Sequence, residues 1–178
     1  MIRFRKTSPG DALLLTTLAR EIYKEHYLHL WYPGGANWYM NEYAYALHKI
    51  EHELLDSNVE YYLALENDIP VGYMKLLLNA SLPGYESNEA LEVERIYLLK
   101  AITGKGTGRQ LMRMAMEKAK ALKKNIIFLK AMDSSAEAIQ FYQKLGYSIC
   151  GTLQLPLPAF SLMKVEYRGM LILKMGVL

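Results

Sequence analysis

The sequence predicts an α/β fold, a single domain with a mixed central sheet of about six to seven strands flanked by helices. Segments with strand periodicity alternate with segments of helical periodicity along the chain. No repeat, low-complexity tract or Gly/Ser linker divides the 178 residues, of which 52% are apolar. A chain of this length buries enough surface to fold without metal or disulfide cross-links. We therefore expect one domain over residues 1–178.

The N-terminal third predicts one strand and two helices. Residues 2–6 alternate as a short strand, and Ser8-Pro9-Gly10-Asp11 carries the cap, first-turn proline and acidic group of a helix start. We expect that helix to run from about residue 11 to 29 and to break at residues 31–35. A second helix is predicted from Asn37 to about residue 56.

The middle of the chain predicts a β-hairpin. Residues 59–66 and 69–78 are rich in strand formers and are separated by Asn67-Asp68, residue types that tolerate the positive φ angles of a two-residue turn. Residues 80–88, which contain Pro83-Gly84, are predicted to form a loop.

A strand, a glycine-rich turn and a helix follow. Residues 91–99 alternate glutamates with apolar residues, so Glu92 and Glu94 are expected on one side of the strand. The turn at residues 104–108 precedes an amphipathic helix that reaches about Leu122. Residues 125–130 predict a short buried strand.

The C-terminal segment predicts one helix and two closing strands. Residues 134–145 form the helix, and Gly146 occupies the position at which glycine ends helices. Residues 147–155 and 165–174 are the predicted strands. The apolar residues 169–176 suggest pairing across a homodimer.

Composition excludes several classes of protein. Cys150 is the only cysteine, which rules out an intrachain disulfide framework and Cys-rich metal sites. A net charge of +3 gives no support for nucleic-acid binding. The charged start, Met1 to Lys6, does not resemble a signal peptide, and no apolar run is long enough for a membrane span. We therefore expect a cytoplasmic protein with no membrane or nucleic-acid partner.

One short motif matches a metal site. His48-Lys49-Ile50-Glu51-His52 fits the H-x-x-E-H pattern of a class of zinc peptidases. Five residues match easily by chance, and the surrounding helix is polar, so we predict a solvent-exposed role and no metal.

The glycine-rich turn is a candidate phosphate site. Its backbone N–H groups and the start of the following helix favour an anion, and Lys105 and Arg109 add positive charge. A P-loop would need Ser or Thr after Lys105, and a dinucleotide fingerprint would need a different glycine spacing. A glycine turn without a ligand is the alternative.

Together, this turn and residues 135–147 resemble the GNAT superfamily of N-acetyltransferases, which use acetyl-CoA. That family has Arg/Gln-x-x-Gly-x-Gly/Ala at the turn; here both glycines are present, Thr103 departs from the pattern, and Ser135 replaces a frequent Asn. The resemblance implies a GNAT fold and an acetyl-CoA site that comprises Ile96, Tyr97, Leu98, Thr103, Gly104, Lys105, Gly106, Thr107, Gly108, Arg109 and Ser135.

Three residues are candidates for catalysis. Tyr142 matches the tyrosine position that the family uses as general acid. An amine with a pKa near ~10.4 must lose a proton before it attacks, and Glu92 or Glu94 could receive it directly or through water. We favour Glu94 because it lies closer to the turn. A backbone N–H near residues 96–98 is the expected oxyanion donor.

The acceptor is predicted to be a small primary amine. A narrower resemblance to PaiA-type spermidine/spermine acetyltransferases, in residues 91–97, favours a polyamine. Aromatic rings and carboxylates in the N-terminal helices would suit a cation, and the candidate ligands are Tyr27, Trp31, Tyr39 and Glu25. The alternatives are a protein N-terminus or lysine as acceptor, or an acetyl-CoA sensor without catalysis.

Overall fold

The computed structural model describes residues 1–178 and contains one seven-stranded sheet in the order β1-β2-β3-β4-β5-β7-β6. The strands are β1 Ile2–Lys6, β2 Val59–Glu66, β3 Ile69–Leu77, β4 Ala90–Leu98, β5 Ile126–Met132, β6 Ser148–Gln154 and β7 Gly169–Gly176. Only β4 and β5 run parallel, and the other neighbours are antiparallel. The predicted mixed α/β sheet is confirmed.

Helices cover both faces of this sheet. They are α1 Ala12–His26, α2 Gly35–Trp38, α3 Leu47–Leu55, α4 Thr107–Ala121 and α5 Ala136–Lys144. One apolar cluster joins α1 and α3 to β2 and β3, and a second joins α4 to β4 and β5 on the opposite face. The central strands are therefore covered on both faces, as expected where a parallel strand pair lies at the centre of a sheet, whereas the edge strand β6 is largely exposed.

The β2–β3 hairpin turns where the sequence predicts. Asn67 and Asp68 are the two residues between the strands, and their φ angles are 51° and 66°, respectively. Two consecutive positive φ angles give the turn a twist that matches the flanking strands.

The single helix predicted over residues 37–56 is wrong. The chain forms α2, a π-helical turn at Tyr39–Tyr43 and then α3, with Tyr45 fully buried between them. The Arg20 side chain donates to the carbonyl of Tyr45 at 2.8 Å, and Tyr73 donates to the Tyr45 hydroxyl at 3.1 Å. The Tyr45 carbonyl is thus satisfied by a distant side chain and not by a helical amide, and its hydroxyl is held in the core.

Two element boundaries also differ from the prediction. Helix α1 ends at His26 and is followed by a 3-10 turn at Leu28–Leu30. The last strand begins at Gly169, because Val165–Tyr167 forms another 3-10 turn.

Strand β7 is internal, so the predicted pairing of residues 169–176 across a dimer is wrong. Its residues pair with β5 on one side and with β6 on the other. Both backbone edges are thus used within the chain, and no edge of β7 is free for a second copy.

The parallel pair separates halfway along its length. Strands β4 and β5 pair from Ala90 to Val93, opposite Ile126–Leu129. Beyond Val93, β4 stays with β3 and β5 stays with β7. A gap therefore opens between β4 and β5 within the sheet.

A β-bulge lies at the start of this gap. Lys75 of β3 is opposite Arg95, and the next residue, Leu76, is opposite Val93, so Glu94 has no partner of its own. A bulge places two consecutive side chains on one face. In agreement, Val93 and Ile96, three residues apart, both pack on the α4 side.

Gly72 holds β3 close to the end of β4. A Cβ atom added there would lie 2.3 Å from Leu98 Cδ2 and 2.8 Å from Tyr97 O. We expect Gly72→Ala to lower the free energy of unfolding by about 1–3 kcal/mol, measured by urea denaturation. Gly10→Ala is the control, since its Cβ would meet only Ser8 Oγ at 3.8 Å. Equal midpoints for the two variants would contradict this.

Candidate active site

A cleft of about 430 Å³ lies between the glycine-rich turn, the end of β4 and helix α5. We call it the glycine cleft. Its lining residues are His26, Tyr27, Ile96, Tyr97, Leu98, Thr103, Gly104, Gly106, Gly108, Arg109, Glu137, Ala138, Phe141 and Tyr142.

The backbone of the turn requires glycine at two positions. Gly104 and Gly106 have φ angles of 77° and 87°, in the left-handed region that favours glycine. Cβ atoms at either position would meet nothing within 4 Å, so the space beside the turn is open. Gly106 is also the residue before α4, whose first amides have no acceptor within the helix. The turn thus presents unpaired N–H groups and a helix dipole to the cleft.

Most of the predicted cofactor residues line this cleft. Those that do are Ile96, Tyr97, Leu98, Thr103, Gly104, Gly106, Gly108 and Arg109. Lys105 and Ser135 are not among its lining residues, and Thr107 is buried beneath the turn at 1% exposure.

Sequence reasoning missed four residues of the cleft. Ala138 and Phe141 share the face of α5 that carries Tyr142, and Glu137 lies in the first turn of that helix. His26 comes from the end of α1, and its Nε2 atom lies 2.9 Å from the Leu98 carbonyl oxygen. Helical periodicity could have identified the α5 residues, but nothing in the sequence indicates that α1 reaches β4.

Tyr142 presents a phenol to the glycine cleft. Its ring packs 5.1 Å from Phe141 and 6.2 Å from Tyr147, measured between centroids. Burial, and then the neighbouring Tyr27, raise the pKa of Tyr142 above the ordinary tyrosine value. Burial also raises the pKa of Tyr27 to about 12. Both hydroxyls therefore stay protonated near neutral pH and can act as hydrogen-bond donors.

The gap between β4 and β5 exposes backbone amides to the same cleft. The N–H of Leu99 donates to the carbonyl oxygen of Val71 in β3. Because backbone N–H groups alternate in direction along a strand, the N–H of Tyr97 is also directed towards β3. Ile96 and Leu98 then direct their N–H groups to the opposite edge, which faces the gap. An N–H group on this edge is suitably placed to stabilise a developing oxyanion.

Two further clefts lie beyond the gap. The aromatic cleft is small and mainly apolar; its lining residues are Tyr23, Tyr27, Leu30, Tyr39, Tyr97, Met132, Leu155, Phe160, Met163 and Met170. The charged cleft, of about 360 Å³, is lined by Tyr39, Tyr43, Leu77, Glu92, Glu94, Arg95, Tyr97, Lys130, Leu153, Leu155, Phe160 and Met170. Tyr97 lines all three clefts. All three clefts therefore adjoin this residue, beside the point where β4 leaves β5.

The two candidate glutamates face the charged cleft, and each has a cationic partner. Lys130 Nζ lies 3.0 Å from Glu92 Oε1, and Lys75 Nζ lies 2.5 Å from Glu94 Oε2. Burial raises the pKa of Glu92, and Lys130 offsets this only in part. Burial also acts to raise the pKa of Glu94, but the charges of Arg95 and Lys75 outweigh it and hold that pKa below its usual value. Glu92 is therefore the stronger base.

A buried chain of one ion pair and two hydrogen bonds lies next to Glu94, and its ion pair is the contact between Lys75 and Glu94. Lys75 also donates to Glu53 at 2.9 Å, and Glu53 accepts a hydrogen bond of 2.5 Å from the Tyr61 hydroxyl. Lys75 is only 4% exposed. Because Lys75 is held in the core by Glu53, its ion pair with Glu94 restricts the position of the Glu94 carboxylate.

Two predicted acceptor ligands lie elsewhere. Trp31 is 5% exposed, and its indole N–H already donates to Tyr23 Oη at 2.8 Å. Glu25 accepts a hydrogen bond from the backbone N–H of Lys100 at 2.8 Å on the outer surface. Neither lines any of the three clefts, whereas Tyr27 and Tyr39 each line two of them.

The H-x-x-E-H residues are solvent-exposed. His48, Glu51 and His52 lie on the outer side of α3, and the structure contains no group of three His, Cys, Asp or Glu side chains arranged to hold a metal ion. Separately, none of the helices has the length and apolar character that crossing a membrane requires.

Comparison with known proteins gives matches in sequence and in structure. The sequence model described as the acetyltransferase (GNAT) family matches residues 18–147. An uncharacterized N-acetyltransferase of Lactobacillus delbrueckii subsp. lactis is 31% identical over 86 residues, which are 48% of this chain and 49% of that protein. An aminoalkylphosphonate N-acetyltransferase of Salmonella typhimurium is 32% identical over 94 residues, 53% of this chain and 60% of that protein. The matches thus span about half the length of these relatives.

The fold is also that of a solved acetyltransferase. The PaiA N-acetyltransferase of Thermoplasma acidophilum, crystallised in complex with coenzyme A, superposes with a TM-score of 0.77. The two chains are 20% identical, and the superposition covers 99% of each. At this identity the match establishes the shared fold.

Proposed function

The chain belongs to the GNAT acetyltransferase family, and we propose that it transfers the acetyl group of acetyl-CoA to a small primary amine. In this reaction the amine nitrogen attacks the thioester carbonyl carbon, the C–N bond forms and the C–S bond breaks. The products are an N-acetylated amine, free CoA thiol and one proton.

The observation that carries the proposal is the meeting of the three clefts at Tyr97. A ligand in the glycine cleft and a second ligand in the charged cleft would approach each other beside Tyr97, the lining residue that these two clefts share. Bringing two reactants together in fixed orientation is itself a large part of catalysis of a bimolecular reaction.

The glycine cleft is suited to the acetyl donor. The open backbone N–H groups of Gly104, Gly106 and the start of α4 would hold the pyrophosphate of CoA, with Arg109 adding positive charge. The departure at Thr103 leaves these backbone groups intact. Thr103 itself directs its hydroxyl to the Lys100 carbonyl, at 2.7 Å, and so stabilises the turn.

The gap and Tyr142 are suited to the charges that develop during the transfer. An N–H group of Ile96 or Leu98 would donate to the oxyanion of the tetrahedral intermediate. The Tyr142 hydroxyl would donate to the sulfur as the C–S bond breaks. Both groups line the glycine cleft, where the thioester would lie.

The proton of the amine would be removed by a carboxylate in the charged cleft. We assign this step to Glu92, directly or through water, because its raised pKa makes it a stronger base than Glu94. This reverses the preference for Glu94 that its position in the sequence suggested. Glu94 remains the second candidate base.

The nature of the acceptor has two candidate classes. The sequence resemblance favours a polyamine, whereas the Salmonella typhimurium relative is named for aminoalkylphosphonates, which carry an anionic group beside the amine. A protein N-terminus or lysine is an alternative acceptor. We further propose, as the sequence predicts, that the protein acts in the cytoplasm.

The test is thiol release from acetyl-CoA, with separate acceptors, at about pH 6.5 to 9.5. The panel contains spermidine, spermine, lysine, 3-aminopropylphosphonate and short peptides, each compared with a control that lacks acceptor. We expect acceptor-dependent release with at least one small amine and a matching acetylated product by mass spectrometry. Tight acetyl-CoA binding without release across the panel would instead indicate a sensor.

A further inference from the structure

Arg95 is a buried cation with an unsatisfied guanidinium N–H group. The residue is 9% exposed, and its Nη1 atom has no hydrogen-bond partner in the structure. Its Nη2 atom lies 3.7 Å from Glu94 Oε1, which is beyond hydrogen-bond length, and its guanidinium carbon lies 5.1 Å from the centre of the Tyr45 ring. Burial of an unsatisfied guanidinium N–H group is costly, so an acceptor that reaches the Nη1 atom of Arg95 would gain the full strength of a charged hydrogen bond.

The β-bulge directs this group into the charged cleft. Because Glu94 is the extra residue of β4, Arg95 lies on the same face as Glu94 and lines the cleft beside it. Without the bulge, strict alternation would direct Arg95 towards the apolar residues under α4. The guanidinium is thus positioned next to the proposed acceptor, on the side of the sheet away from α4.

The carboxylates of the cleft are already neutralised. Glu92 and Glu94 have lysine nitrogens at 3.0 and 2.5 Å, respectively, whereas Arg95 has no carboxylate within hydrogen-bond distance. A polycation in this cleft would meet two carboxylates that each already have a lysine nitrogen within 3.0 Å. An anion, in contrast, would meet a guanidinium whose nearest carboxylate oxygen is 3.7 Å away and whose Nη1 atom has no hydrogen-bond partner, and a guanidinium matches carboxylate and phosphonate oxygens in a bidentate geometry.

We propose that the acceptor is a short primary amine carrying a carboxylate or phosphonate group, and that Arg95 binds this anion. This inference rests on the proposed acetyl transfer. Arg95 and Tyr97 lie two residues apart on one strand, a distance of about 6.6 Å. With the amine at Tyr97, where the clefts meet, that distance accommodates two to four carbon atoms between the two functional groups.

The first test compares acceptors of matched length with the wild-type protein. The two acceptors that carry an anionic group are 3-aminopropylphosphonate and 4-aminobutyrate. The two reference acceptors without an anionic group are n-butylamine and putrescine. We expect kcat/KM for the better of the anionic amines to exceed that for n-butylamine by about 10- to 100-fold, the range for a charged hydrogen-bonded pair. The two anionic amines distinguish phosphonate from carboxylate.

The second test removes the guanidinium. Arg95→Gln should abolish the preference for the anionic amine over n-butylamine, and Arg95→Lys, which keeps the charge, should recover only part of it. The KM for acetyl-CoA should stay unchanged, since Arg95 does not line the glycine cleft. Arg113→Gln is the control: Arg113 is 75% exposed on α4, and its loss should alter neither quantity.

Two kinetic results would overturn the inference while leaving acetyl transfer intact. One is equal or higher kcat/KM for n-butylamine or putrescine in the wild-type protein. The other is a preference for the anionic amine that survives in a folded Arg95 variant. Calorimetric titration of 3-aminopropylphosphonate in the presence of CoA tests Arg95 even without turnover: equal affinity for wild type and Arg95→Gln would overturn the inference. No release with any amine would instead refute the proposed function.

Discussion

Glu92→Gln should lower kcat by about 10²- to 10³-fold, within the range of general acid–base effects. An amine with a pKa of about 10.4 is only ~0.1% neutral at pH 7.4, so its proton must be removed before or during attack. Glutamine keeps the size of Glu92 and its hydrogen-bonding capacity but cannot accept the proton. The measurement is the pH profile of kcat with the best acceptor of the panel.

The direction of the pH effect follows from the role of the group. A base must be ionised, so wild-type activity should fall as the pH drops through the pKa of Glu92, which burial raises above its usual value. Glu92→Gln should lose this acidic limb together with most of its activity. Glu94→Gln is the comparison; if it loses more activity than Glu92→Gln and removes the limb, Glu94 is the base.

The stability of Glu92→Gln separates chemistry from folding. A carboxyl whose pKa is raised in the folded state favours folding when it is protonated and loses that advantage as the pH rises through the folded pKa. At neutral pH the ionised Glu92 therefore contributes little net stability beyond its pair with Lys130, which is 37% exposed. We expect the free energy of unfolding at pH 7 to be nearly unchanged.

Tyr142→Phe should lower turnover by about 10²-fold and leave the affinity for acetyl-CoA unchanged. The pKa of Tyr142 lies above the ordinary value of 10, whereas a thiol has a pKa of about 8.5. Complete proton transfer to the departing thiolate is therefore uphill, and the expected contribution is a hydrogen bond that strengthens as charge develops on sulfur. The rate should not fall from ionisation of Tyr142 up to about pH 9.5.

Tyr147→Phe provides a matched control for this prediction. Tyr147 packs against Tyr142, but its hydroxyl is buried and has no hydrogen-bond partner. Its removal should leave turnover unchanged and stability unchanged or higher, because an unsatisfied polar group is lost. Equal turnover of Tyr142→Phe and Tyr147→Phe would exclude Tyr142 from the reaction.

Local patterns in the sequence predict much of the fold. The hairpin at Asn67-Asp68, the helix stop at Gly146 and the order of strands and helices each depend on residues close together in the chain. The break in the second predicted helix does not, because residues 44–46 have no helix-breaking composition. Hydrogen bonds from Arg20 and Tyr73, distant in sequence, fix Tyr45 in the core.

The site was predictable where it depends on the turn and not where it depends on the bulge. The glycine spacing indicated the residues of the glycine cleft, and alternation correctly placed Glu92 and Glu94 on one face. The same alternation places Arg95 on the opposite face, and no residue type at Glu94 signals an extra residue in the strand. Aromatic content likewise could not distinguish buried Trp31 from Tyr39, which lines two clefts.

The separation of β4 from β5 is built into the sheet and needs no ligand to produce it. Each strand is held along its far half by a different neighbour, β4 by β3 and β5 by β7. Closing the gap would require those antiparallel pairings to break, whereas the open gap requires no change in backbone pairing. If the proposed thioester enters between the strands, its binding free energy would not be spent on rearranging the backbone, because the space is already open.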